Sequence, residues 1–160
     1  MKELINILKY KLVWANVIAA VIVLLVSFYR YEFSAFAYVL ISNLFDIFGY
    51  HFALIRRTTQ LPEKIIIRSY RINQFLFDVL LLLIIGFVFD WIAALAGWIM
   101  KNFGLQDVLY YFFLQMKLPD RWTWMKWTPL GFFKGDLLKS EVLIQCFIGV
   151  LIAVLLLILR

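Results

Sequence analysis

Four long apolar runs fill most of this 160-residue chain, and charge bounds nearly all of them. A helix rises 1.5 Å per residue, so crossing a hydrocarbon layer about 30 Å thick takes about 20 mostly apolar residues. The segments 12–29, 33–55, 74–100 and 142–159 fit that requirement. Hydrophobic residues make up 65% of the chain, well above the roughly 45–50% of soluble domains. A chain of this size could not hide so much apolar surface from water, whereas lipid needs no such cover. The expected fold is therefore all-α: an integral membrane protein forming one transmembrane domain over 1–160. Its core is a four-helix transmembrane bundle, with an aromatic-rich interfacial helix or loop over 101–141 between the third and fourth spans.

Charge gives the expected topology. The formal net charge is +6, which next to membrane spans implies contact with anionic lipid rather than nucleic acid. No basic stripe with stacking aromatics stands apart from the spans, so no nucleic-acid partner is expected. Met1 to Lys11 opens like a signal peptide. The run that follows is too long for one, and no small-x-small cleavage site follows it, so a retained first span is expected. Four spans put Lys2, Lys9 and Lys11, the basic loop from Arg56 to Arg71, and Arg160 on one side. The positive-inside bias makes that side cytoplasmic, with both termini there and a multi-pass protein in the plasma membrane. The six Lys and Arg between Lys101 and Lys139 oppose this assignment, because they would lie outside.

Polar residues within the runs are the only pointer to a site. On a wheel at 100° per residue, Ala35, Ser42, Asp46, Gly49, Ala53 and Arg56 share a face of the second run. In the third run Gly86, Asp90, Ala93 and Gly97 share one, as do Gln145, Gly149 and Ala153 in the fourth. The first run offers Ala15-x-x-x-Ala19 beside Asn16. Small residues let membrane helices approach closely, so these stripes are expected to face inward. Asp46 and Asp90 would sit about 18 and 15 Å below the outer surface at 1.5 Å per residue. Carboxylates at that depth are costly and need a partner, a wet cavity or a function. Facing each other, they would share a proton or a cation and form a speculative catalytic pair. Alternatively each is held by Asn16, Asn43, Tyr50 or Gln145, the rest of a membrane-buried polar cluster, and serves packing alone.

Other chemistry is absent. The sequence has one histidine, His51, and one cysteine, Cys146. His51 falls about 140° from Asp46 around the helix, so the two do not make a metal-ligand spacing. Asp78 is expected to make local contacts with Arg71 and Gln74. Phosphate-loop, dinucleotide, CxxC and HExxH motifs are missing, so no cofactor and no metal are expected. The motifs that surround the paired aspartates of lipoprotein signal peptidases are missing too. The expected function is that of a small non-enzymatic membrane subunit, assembly or interaction factor, or conduit. Its partners would be membrane lipids, another membrane protein or a second copy. The competing expectations are an intramembrane hydrolase or transferase acting on a lipid or lipid-linked substrate through Asp46 and Asp90, and a proton- or cation-coupled transporter.

Overall fold

A computed structural model describes residues 11–49 and 63–160. Helix α1 (Lys11–Ser27) is followed by a 3-10 turn (Tyr31–Phe33) and α2 (Ser34–Asp46). Then come α3 (Glu63–Val88), α4 (Trp91–Asn102), α5 (Leu105–Phe113), β1 (Arg121–Trp122), α6 (Pro129–Lys134), β2 (Leu137–Leu138) and α7 (Lys139–Ile158). Three helical stretches among the described residues are long and apolar enough to cross a membrane: Tyr31–Gly49, Ile67–Val88 and Lys139–Ile158. Helix α1 is apolar but shorter, over Leu12–Ser27.

The expected third span, 74–100, is not one helix. It breaks at Phe89-Asp90, and α4 runs back along α3. Asp90 has an extended backbone and its Oδ1 accepts from the Ala93 amide at 2.9 Å. It is thus an N-cap, supplying an acceptor to an amide that the first turn of a helix leaves unpaired. The indole of Trp91 then folds over Gly86, where a Cβ would lie only 2.4 Å from the ring.

Helix α4 is the centre of the bundle because it is built from small residues. Ala93, Ala94, Ala96 and Gly97 are buried, and α2, α3 and α7 all pack on it. At Gly97 a Cβ would meet Tyr38 Cβ at 2.6 Å and the Ala35 carbonyl at 2.7 Å. The inward stripes of α2 (Ala35, Ser42) and α7 (Gln145, Gly149, Ala153) are buried as expected. The α1 stripe is not. Ala15 is exposed, and Val13, Asn16 and Ala20 face inward. Adjacent residues are 100° apart, so burying Asn16 turns Ala15 away.

The two ends of the bundle are distinct. At one, Arg160 Nη1 pairs with Asp90 Oδ1 at 2.7 Å, its guanidinium lies 4.6 Å from the centre of the Tyr31 ring, and Phe28 meets Phe89 edge-on at 5.0 Å. At the other, Val13 clusters with Ile47, Phe113 and Leu114. Helix α1 therefore starts at the Asp46 end and α7 finishes at the Asp90 end. The return of α4 makes the number of antiparallel runs odd, so Lys11 and Arg160 lie at opposite ends of the helical assembly. The segment 101–138 lies at the end where α1 begins, not opposite it. It builds a core against the start of α7: Trp122 is fully buried with Met125, Leu137 and the α7 residue Val142. Trp127, Phe132 and Phe133, in contrast, are at least 75% exposed.

Candidate functional site

Asp46 ends α2 and accepts from three side chains on two other helices. The Tyr70 hydroxyl and the Gln106 amide both donate to it, and Gln74 Nε2 lies 3.0 Å from each carboxylate oxygen. Tyr70 and Gln74 are one turn apart on α3, and Gln106 opens α5, so one carboxylate ties three helices together. Gln74 Oε1 in turn accepts from Arg71 Nη1 at 3.1 Å.

Two further aspartates sit nearby. Asp78 of α3 pairs with Lys101 of α4, both side chains largely buried. Asp107 of α5 accepts from the Trp124 indole at 3.2 Å. Burial pushes the Asp107 carboxyl above its ordinary range, and the Trp124 hydrogen bond opposes that shift. All of these groups line one cavity of about 690 Å³ at the Asp46 end. Its walls are the first half of α3, the end of α4, α5, and the 124–128 turn. Ile67 and Phe75 of α3 line the cavity and also face outward, at 39% and 66% exposure. The cavity thus meets the apolar flank of the protein. Toward the Asp90 end, next to Asp78, lies an apolar cluster of Tyr38, Leu81, Ile85 and Ala94. The Tyr38 hydroxyl donates to the Asp78 carbonyl at 3.1 Å there.

The expected acid pair is not brought together. Gln74, a partner of Asp46, lies about 20 Å along α3 from Val88 at 1.5 Å per residue, and Asp90 follows Val88 at the far end. Carboxyl pairs that act jointly lie within about 10 Å. Asp90 serves as a helix cap and as the partner of Arg160. Asn16 and Asn43 are fully buried, and their side-chain amides have no hydrogen-bond partner among the described residues, so neither holds Asp46. Gln145 bridges α6 and the turn after α4: its Oε1 accepts from Leu130 N at 2.7 Å and its Nε2 donates to Phe103 O at 3.2 Å. Tyr50, His51, Ala53 and Arg56 lie outside the described residues. Asp78 turns to Lys101 rather than to Arg71 or Gln74 on its own helix. Sequence reasoning missed Lys101, Gln106, Asp107 and Trp124, because they converge only through the break at Asp90.

No three His, Cys, Asp or Glu side chains among the described residues are arranged to hold a metal ion. No family model, no curated protein and no solved structure matches this chain.

Proposed function

We propose that the chain is a polytopic membrane protein that binds the polar head of a lipid or lipid-linked molecule in the cavity at its Asp46 end. One observation carries this reading: a cavity lined by ionisable and aromatic groups opens along the exposed apolar strip of Ile67 and Phe75. An amphiphile fits both parts, with its head among the charges and its tails along α3. Binding is favoured over catalysis. Asp46 is saturated by donors and Asp78 is spent on Lys101, so no acid and base converge on one point. A conduit is disfavoured by the packed apolar cluster of Tyr38, Leu81, Ile85 and Ala94 on the Asp90 side of Asp78.

Topology supports the same reading. Of the described Lys and Arg, only Arg30 and Arg160 lie at the Asp90 end. On the positive-inside bias, this charge pattern supports a reading in which the Asp46 end, the cavity and the tryptophan segment face the cytoplasm in the plasma membrane. Trp127, Phe132 and Phe133, beside Lys126 and Lys134, form the interfacial anchor.

Purified protein, washed with detergent until loosely held lipid is gone, is expected to keep about one lipid per chain by native mass spectrometry. Ile67→Trp, which narrows the mouth at an outward-facing position, is expected to lose it. Wild type that comes through the wash lipid-free would defeat the proposal.

A further inference from the structure

The charge pattern of the cavity narrows the head it accepts. Asp46, Asp78 and Asp107 face Arg68, Arg71 and Lys101, so the formal charges of its lining cancel. Lys101 is matched by Asp78, and Asp46 is saturated by its three donors. Two other groups of the lining remain to be assigned. Arg68 and Arg71 stand one turn apart on α3, at the mouth beside Ile67. Arg71 gives one N–H to Gln74, and no described residue takes a bond from Arg68. The Arg68 guanidinium and the remaining N–H groups of Arg71 suit the oxygens of a phosphate. Deeper in, Asp107, Tyr110 and Tyr111 share a face of α5 at i+3 and i+4 spacing, and Trp124 stacks near Tyr111 at 6.3 Å between ring centres. Among the described residues, the Asp107 carboxyl receives one side-chain hydrogen bond, from Trp124. A carboxylate beside aromatic rings is the chemistry that holds an ammonium group.

Building on the lipid-head reading above, we propose that the cavity selects a zwitterionic head, a phosphate joined to an ammonium. Arg68 and Arg71 take the phosphate, and Asp107 with Tyr110, Tyr111 and Trp124 takes the ammonium. A head of zero net charge leaves a neutral lining neutral, whereas a purely anionic head would leave Asp107 facing a like charge. The volume of about 690 Å³ admits such a head and the first part of its tails.

The test is competition on delipidated protein, read by native mass spectrometry. Equal amounts of phosphatidylethanolamine, phosphatidylglycerol and diacylglycerol are offered, with soluble glycerophosphoethanolamine in a separate arm. The expected result is about tenfold preference for phosphatidylethanolamine over either other lipid. Asp107→Asn is expected to abolish the preference over phosphatidylglycerol, and Arg68→Gln with Arg71→Gln to weaken both phospholipids. Preference of the wild type for phosphatidylglycerol or diacylglycerol would overturn the proposal while leaving lipid binding intact, whether or not the variants fold. Binding of none of the three lipids would overturn both readings. Displacement of phosphatidylethanolamine by the soluble head at equal concentration would keep the zwitterion chemistry and remove the lipid.

Discussion

Lys101 of α4 and Asp78 of α3 form an ion pair whose side chains are only 8% and 15% exposed. The pair lies where the cavity meets the apolar core, and it locks α4 against the helix from which it folds back. Removing one member of a buried pair leaves an uncompensated charge and costs about 3–5 kcal/mol, whereas an apolar replacement of both is often neutral. Lys101→Met and Asp78→Leu should each sharply lower the melting temperature in detergent. The double variant should recover most of the loss. A double variant as unstable as the sum of the singles would mean that the pair contributes beyond its own charge balance.

Asp46 and Asp90 are expected to behave as strangers. Asp46→Asn turns an acceptor into a mixed donor and acceptor against two amides and a hydroxyl, at a cost of about 1–3 kcal/mol. Asp90→Asn keeps a good N-cap and gives up an ion pair with a partly exposed arginine, a cost below about 1 kcal/mol. Sites this far apart add within about 0.5 kcal/mol. Thermal unfolding of the two singles and the double would expose any coupling.

The membrane class, the helical fold and the inward stripes of α2 and α7 were legible in the sequence because lipid rewards composition and helical periodicity directly. The break at Asp90 was not read, although its signs stood in the chain: an aspartate before a run of small residues, with Gly86 four residues upstream. Hydropathy averaged over a span-length window smooths over one cap. That single miss displaced α4, reversed the tryptophan segment and hid the site. Asp78 meets Lys101, and Asp46 meets Gln106, across separations of 23 and 60 residues. No local pattern encodes such pairings. Asp46 was expected to be held by Asn16, Asn43, Tyr50 or Gln145, whereas the donors around it are Tyr70, Gln74 and Gln106.

Gly97 sets the spacing of α2 and α4. With Tyr38 Cβ and the Ala35 carbonyl both within 2.7 Å of a built Cβ, Gly97→Ala must push the helices apart. Overpacking of this kind costs about 1–3 kcal/mol. Gly135→Ala meets no atom within 4 Å, and its φ of +81° is the only source of strain there. Gly97→Ala should therefore reduce the monodisperse fraction after heating more than Gly135→Ala does. The reverse order would contradict the close α2–α4 contact.

Asp107 should give the protein a specific pH response. Burial raises its carboxyl in the folded state, so folding favours the protonated form. That contribution is fully present below the carboxyl's unfolded value and is lost as pH rises through the higher folded value. Asp107→Asn, neutral throughout, should match the parent in acid and melt at a higher temperature as pH rises through that window, the difference levelling off above it. An ammonium-bearing head needs the ionised carboxylate, so its binding to wild type should strengthen over the same window and stay flat in the variant. Melting curves and lipid retention recorded from pH 4 to pH 8 read both effects, and parallel curves for parent and variant would exclude Asp107 as the titrating group.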